Sequence, residues 1–478
     1  MSSPIVWIIF PLLVALIAFL FRRWVKVITI SAIFITVALA WLAWQAPIGE
    51  LIQVGPLSFT IEERLTFLGR RFELQPSDAS ALVLIYLGVA FWFGGSIIAK
   101  VRQVFVSAGM AIAALLTAAI AVEPFLYAAL LIELAVFLCV ALLVEPGRQV
   151  ASGAIRFLTL QTLGIPFILF AGWLLVGVEA SPEDSDLVLQ ASLMLAFGFA
   201  FLMAIFPFHT WIPMLAEEAH PYTAAFVFFL LPTAITLFGL GFLDRYNWLR
   251  NQPDIYQLIQ LAGLLMVLVG GLFSAFQNHL GRIMGFAVIL EIGLTLLAVS
   301  AVVKQPADRS MLEIMFIQIL PRGVELGVWS LSLVVLSRYD QNQEGRGEQL
   351  RFRNIHGLAR SLPIAALCLV VAQLSLVGFP LLAGFPAHRV LWLGLVPDSP
   401  NIALLALLGN SGMLFASLRT MAVLVMGTDE PGWRITENLS QTLLLATGGF
   451  IIVLIGMFPQ WFLPLMIRMA ELFPNLGF

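Results

Sequence analysis

Phe206-Pro207-Phe208-His209-Thr210-Trp211-Ile212-Pro213, followed by Glu217, Glu218, His220 and Pro221, closes one apolar stretch just before the next begins. Two prolines six residues apart remove backbone donors and predict a broken helix. Broken backbone survives inside a membrane only where protein or water satisfies it, so this stretch marks a cavity or a re-entrant corner. The second half repeats the device, with Gly378-Phe379-Pro380 and Gly384-Phe385-Pro386 just ahead of His388 and Arg389. Interrupted helices in corresponding parts of two halves point to an inverted-repeat transport fold. His209 and His220 flank the first break, where they are placed to hold water or to bind Glu217 or Glu218. Capping and fixing the loop is the plainer role for them.

Composition supplies the membrane. With 60% hydrophobic residues, 11% charged residues and a mean hydropathy of +0.98, the chain has too little polar surface to coat a soluble globule. A net charge of -3, with no basic run longer than Arg22-Arg23 or Arg70-Arg71, excludes a nucleic-acid partner. Cys139 and Cys368 fall in separate apolar spans, with no Cys-x-x-Cys or Cys/His cluster to hold zinc, haem or an iron-sulfur centre, so no metal and no redox cofactor is expected in this chain. The 56 aromatic residues need no cofactor either, since lipid contact and interfacial belts account for most of them.

A bilayer core of about 30 Å needs roughly 20 apolar residues per helix. That ruler finds fourteen spans, predicting an all-α polytopic fold: 4–21, 25–46, 79–99, 103–121, 124–144, 155–178, 187–208, 222–243, 256–277, 281–303, 311–337, 361–384 (continuing to 396), 401–427 and 438–467. The first has no positive residue before it and no small-residue cleavage site after it, so it reads as a retained helix. Alternate loops carry fourteen basic residues on one side and eight on the other, which places both termini outside. Residues 47–78, with Leu51-Ile52-Gln53-Val54 alternating before Gly55-Pro56, predict a small hairpin on the outer face. Residues 338–360 predict a solvated cytoplasmic loop. No linker separates domains.

All three lysines, Lys26, Lys100 and Lys304, lie at or beyond span ends, yet Glu133, Glu291, Arg322, Glu325, His388 and Arg389 fall inside the spans. Ionisable groups there are costly and mark charge pathways. Glu133 sits mid-span in Leu130-Leu131-Ile132-Glu133-Leu134, where desolvation works against its charge unless a cation is near. Such a carboxyl passes protons, or serves as a paired structural group at a helix contact. Glu291 carries the same two readings. Arg322 and Glu325, three residues apart, share a helix face and are placed to neutralise each other, as a relay or as a packing pair. An imidazole is the side chain suited to carry protons at physiological pH, which marks His388, and a guanidinium such as that of Arg389 beside it does not release its own.

Together these motifs resemble the antiporter-like, proton-channel subunits of respiratory complex I (NADH:quinone oxidoreductase), a family shared with Mrp antiporters and membrane-bound hydrogenases. Residues 207–213, Glu133 in Ile-Glu-Leu, Gln277-Asn278-His279-Leu280-Gly281-Arg282 leading into 283–294, and the two Gly-Phe-Pro motifs carry the likeness, which covers nearly the whole chain. The resemblance implies about fourteen helices, with helices 4–8 and 9–13 as two inverted five-helix repeats and helices 7 and 12 broken. It divides the chain into 1–99 (helices 1–3 with the hairpin), 100–245, 246–427 and 428–478. Each repeat would supply a half-channel, joined by a central charged line containing Glu133, Glu291, Arg322, Glu325, His388 and Arg389. The implied partners are other membrane subunits, the lipid bilayer, and protons or sodium ions. The implied setting is an inner or cytoplasmic, energy-transducing membrane.

Departures from the family pattern narrow that expectation. Its seventh-helix lysine position, seven residues before His209, is Leu202 here, and the eighth span offers only Pro232 to Thr236 where a lysine is usual. His388 stands at the twelfth-helix lysine or glutamate position, while His279 and Gly281 replace an aspartate and a lysine. Glu133 thus loses its cation, and the first half-channel is expected to be degenerate. The expected function is a redox-driven ion-pump subunit without a redox site of its own. Its rivals are a non-pumping scaffold of such a complex and a stand-alone secondary cation/proton antiporter.

Overall fold

A computed structural model describes residues 2–45, 48–49, 51–54, 57–67, 69–144, 150–180, 185–250, 252–304, 310–338, 349–426 and 435–476. The chain opens with a π turn over Ile5–Ile9 and runs through α1 (Phe10–Leu20), α2 (Val25–Gln45), α3 (Ala79–Ala99), α4 (Phe105–Ala121) and α5 (Ala128–Leu143). Next come α6 (Ser152–Ala180), α7 (Ser185–Leu202), α8 (Trp211–Glu218), α9 (Pro221–Arg245), the single turn α10 (Asn247–Arg250), α11 (Pro253–Ala275) and α12 (Leu280–Lys304). The remainder forms α13 (Ser310–Ile317), α14 (Ile319–Ser337), α15 (Pro363–Leu376), α16 (Phe385–Asp398), α17 (Pro400–Val425), α18 (Leu439–Met457) and α19 (Leu463–Arg468).

Among the described residues, ten helices are long and apolar enough to cross a membrane, and four shorter apolar ones cover Ile5–Leu20, Phe105–Ala121, Asp186–Leu202 and Pro363–Leu376. Each falls on one of the stretches marked out by hydropathy. The most apolar window of α12 is 100% buried by protein, against 28% in α18 and 33% in α2. Helix α12 is therefore the axis of the bundle, and α2 and α18 present most of their surface to the surrounding apolar medium.

Small residues set that axis. A Cβ added at Gly271 would lie 1.7 Å from the Gly409 carbonyl oxygen, and one at Gly270 would lie 2.4 Å from the Leu290 backbone nitrogen. Helices α11, α12 and α17 thus meet backbone to backbone, the geometry that glycine permits where lipid tails give apolar side chains no reason to associate. Gly271→Ala is expected to force these helices apart and to cost about 1–3 kcal/mol. Thermal unfolding in mild detergent measures it, and an unchanged melting temperature contradicts this packing.

The spans are all helical, as expected, and the strands lie in the connections between them: β1 (Leu51–Val54) pairs antiparallel with β2 (Leu57–Thr60), and β3 (Arg64–Phe67) pairs with β4 (Arg70–Glu73), which β5 (Val122–Glu123) extends. The 47–78 connection is thus two hairpins instead of one, and the Gly55-Pro56 turn lies outside the described residues. Residues 339–348 of the 338–360 loop lie outside them too. The part that follows is bolted down, with the Leu280 N–H donating to the Leu350 carbonyl at 2.9 Å and the Phe352 N–H to that of Asn278 at 2.9 Å.

Both ends of the chain reach one face. The Ser3 N–H donates to the Glu62 carbonyl at 2.7 Å, and the Asn475 N–H donates to Asp244 Oδ1 at 2.7 Å, at the end of α9. Arginines close helix ends elsewhere: Arg338 donates to the Ile98 and Ala99 carbonyls of α3, and Arg102 to the Ala141 and Val144 carbonyls of α5. A cation on unpaired terminal carbonyls satisfies both their lone pairs and the helix dipole.

Candidate functional site

Both predicted breaks are present. Helix α7 ends at Leu202 and α8 begins at Trp211, with Ala204 at φ +54° between them; α15 ends at Leu376 and α16 begins at Phe385, with Gly378 at φ +84° and Leu381 at φ +70° between. Only Pro207 and Pro380 sit in the gaps. Pro213 and Pro386 fall in the first turn of the resumed helices, where an N–H has no intrahelical partner to lose. Each gap frees a carbonyl, and each is met by a side-chain amide: Gln161 Nε2 donates to the Leu202 carbonyl at 2.9 Å, and Asn410 Nδ2 to the Val377 carbonyl at 2.8 Å. Backbone that helix geometry leaves unpaired is satisfied by neighbouring helices, as an apolar medium requires.

Span eleven is also interrupted, which hydropathy did not reveal. Pro321 has no N–H for the Ile317 carbonyl, and α13 ends at Ile317. Gln318, at the junction, donates from Nε2 to Glu291 Oε2 of α12 at 2.5 Å. On the same carboxylate, Oε1 lies 3.9 Å from His388 Nε2 of α16. Glu291, Glu325, Arg322 and His388 are respectively 2, 2, 4 and 4% exposed, so four ionisable groups from three spans share one buried interior.

Arg322 and Glu325 do not form the contact pair that their spacing suggests. The Glu325 carboxylate accepts from Ser375 Oγ of α15 at 2.5 Å, and Ser375 Oγ accepts the Gly384 N–H at 3.2 Å, so the twelfth-span break is clipped to α14. Arg322 lies within Coulombic reach of both Glu291 and Glu325 and donates from Nη2 to the Phe228 carbonyl of α9 at 3.3 Å. Phe228 lies four residues before Pro232, which has no N–H to offer it. A proline in α9 thus builds the acceptor that anchors the guanidinium.

The first half is arranged differently. Glu133, 8% exposed on α5, accepts from Thr162 Oγ1 of α6 at 2.5 Å, while its Oε2 is buried without a partner. Leu202 is buried at the end of α7, and no cation pairs with Glu133 among the described residues. The carboxylates of the first break point elsewhere: Glu217 pairs with Arg282 Nε at 3.2 Å, and Glu218 accepts from Ser152 Oγ and the Gly153 N–H, both at 2.7 Å. They bind neither His209 nor His220. His209 stacks on Phe206 with ring centroids 5.5 Å apart, and His220 is the N-cap of α9. These four residues fasten the loop.

Arg389 is a correction. It lies on the exposed face of α16, not among the interior groups. Residues missed in the sequence were Gln318, Ser375, Thr162 and Pro232; for Pro232 the signal available was the Phe228 carbonyl four residues before it, which needed a new donor.

A cavity of about 490 Å³ lies on the face that carries the termini, among the ends of α3 and α9 and the C-terminal segment, lined by Asp78, Asp244, Arg245 and Glu471 and by apolar side chains deeper in. Thr233 and Leu237 also line a second void of about 20 Å³, whose other walls include Thr295, Gln318 and Arg322. The second void has room for about one water. The two voids are separated by the shared walls Thr233 and Leu237.

The chain spans little more than half the length of the curated relatives it matches. It is 26% identical over 275 residues to NADH-quinone oxidoreductase subunit N of Psychrobacter arcticus, covering 57% of this chain and 54% of that one. It is 25% identical over 326 residues to NAD(P)H-quinone oxidoreductase chain 4 1 of Synechococcus sp. (strain JA-2-3B'a(2-13)), covering 64 and 58%. Its fold is similar to chains in the archaeal membrane-bound sulfane sulfur reductase and in the Mrp complex from Dietzia sp. DQ12-45-1b, each with a TM-score of 0.79 at 15% identity. The first pair covers 99% of this chain and 98% of its counterpart, the second 99 and 97%. A chain of respiratory complex I from Thermus thermophilus gives 0.70 at 20% identity, covering 97% of this chain and 99% of that one. Residues 131–414, from the first turn of α5 to the middle of α17, match the family model described as NADH:quinone oxidoreductase/Mrp antiporter, transmembrane. This integral membrane protein belongs to that family.

Proposed function

We propose that the chain is a membrane-arm subunit of a complex I-like, redox-driven pump, and that its C-terminal half moves protons through the Glu291–His388–Arg322–Glu325 cluster. The observation that carries this reading is the contact of His388 with Glu291 beside an anchored Arg322. Two carboxylates and one guanidinium leave a net negative charge in a buried interior, so neutrality requires one further proton on Glu291, Glu325 or His388. That proton has three neighbouring hosts. A proton suits the site better than sodium, because a fixed guanidinium repels a metal cation while imidazole accepts a proton directly. His388 Nδ1, Arg322 Nε and both amide atoms of Gln373 on α15 are buried without a protein partner, and such groups are normally met by water, the remaining carrier a relay needs.

In this reading the membrane is an energy-transducing one, both termini lie outside, residues 100–245 and 246–427 are the two repeats, and the termini-side cavity is the outer access. The chain itself holds no cofactor. The first half is silent, because Glu133 has only a threonine hydroxyl where a mobile cation would be needed to change its charge. Glu133→Gln is accordingly expected to keep more than about half of the redox-driven acidification measured in vesicles bearing the intact assembly, since its one partner, Thr162, can still hydrogen-bond to an amide. Loss of most of that acidification would show the first half conducting. A stand-alone antiporter is disfavoured by the same assay if the flux follows electron transfer.

A further inference from the structure

Arg389 is the outward neighbour of the buried cluster, and its depth is given twice. His388 Nε2 lies 3.9 Å from a carboxylate oxygen of Glu291, a residue near the middle of α12. On the other side of the break, Asn410, near the middle of α17, bonds to the Val377 carbonyl. Residues at the start of α16 therefore sit near mid-depth of the apolar layer. There Arg389 is exposed, with no hydrogen bond, ion pair or ring contact among the described residues. Leu393 and Val396, 62 and 52% exposed, continue the same face at spacings of four and seven residues.

A guanidinium in that position cannot remain unpaired in hydrocarbon. Lipid phosphates lie about 15 Å away, half the thickness of the bilayer core, beyond what the side chain spans by snorkelling. The remaining anion at mid-depth is a carboxylate on another protein, for which the planar guanidinium is a two-pronged donor. We propose that the α16 face of Arg389, Leu393 and Val396 docks an adjoining membrane subunit through an Asp or Glu in one of that subunit's spans. The ion pair lies one residue from His388, so docking sets a fixed charge beside the proton-handling cluster. The inference needs only an assembly with another membrane subunit, and stands whether or not protons move.

The test uses the full chain in its native membranes. A photo-crosslinking residue in place of Leu393, in an otherwise unaltered chain, is expected to capture a membrane-spanning peptide that contains Asp or Glu. Arg389→Glu is expected to reduce the chain recovered in the assembly roughly tenfold, by setting like charges together. Arg389→Lys should retain most of it, and replacing the captured acid by arginine should restore Arg389→Glu. Crosslinks to lipid alone, a captured peptide without an acidic residue, or undiminished assembly of Arg389→Glu would each overturn the proposal. If Arg389→Glu does not accumulate at all, the crosslink at Leu393 decides.

Discussion

Glu291→Gln is expected to lower redox-driven proton translocation by the intact assembly on the order of 10²-fold, the usual loss when a positioned proton-transfer group is removed. The amide keeps the shape of the carboxyl and can still bond to Gln318, so folding and assembly should be preserved. What disappears is the charge that makes the cluster need an extra proton: with Glu291 neutral, Glu325 and Arg322 balance each other. His388→Ala should reach a comparable loss by another route, removing the imidazole that joins α16 to the α12 carboxylate. The readout is acidification of sealed vesicles during turnover, with electron transfer followed in parallel. Wild-type acidification by both variants would reduce the cluster to a packing device and leave the chain a scaffold.

Arg322→Met is expected to be the most destabilising single change. It removes the arginine that lies within Coulombic reach of both Glu291 and Glu325, and stranding buried charge in this way costs about 3–5 kcal/mol. The Phe228 carbonyl, already without a helical donor because of Pro232, loses its partner as well. The chain should melt well below wild type in mild detergent and accumulate poorly in membranes. Arg322→Met combined with Glu325→Gln should recover much of that loss, since one carboxylate can then be neutralised by the shared proton while Ser375 still caps the amide. A wild-type melting temperature for Arg322→Met alone would mean that the two carboxylates are already both protonated and that no charge is stored here.

Much of this was readable before the fold was seen. Apolar runs of bilayer length located the helices because burial in lipid imposes a length and forbids alternatives. Prolines at 207 and 380 located the breaks because a missing N–H is a local defect that tertiary structure cannot restore. The Pro321 interruption is of the same kind but leaves Gln318 at helical angles, φ -72° and ψ -23°, so no polar loop announced it. Helix rotation was harder. Successive residues on an α-helix diverge by about 100°, so His388 and Arg389 could not both face the interior, and which one did depended on packing against α12. Partners of the carboxylates were illegible for a similar reason: Thr162, Gln318 and Ser375 are ordinary polar residues in apolar spans, and only tertiary contact sets them on Glu133, Glu291 and Glu325. The second hairpin escaped notice because its outer residues, Arg64 to Glu73, lack the clear apolar alternation of a half-buried sheet.

Infrared difference spectroscopy of the reconstituted assembly across pH asks whether the C-terminal cluster holds one exchangeable proton shared between carboxyl and imidazole. A carboxylic-acid carbonyl band that rises and falls with pH, disappears in Glu291→Gln or shifts in Glu325→Gln, and survives in Glu133→Gln is the expected result. A spectrum without such a band, or one whose band is lost only in Glu133→Gln, would contradict it.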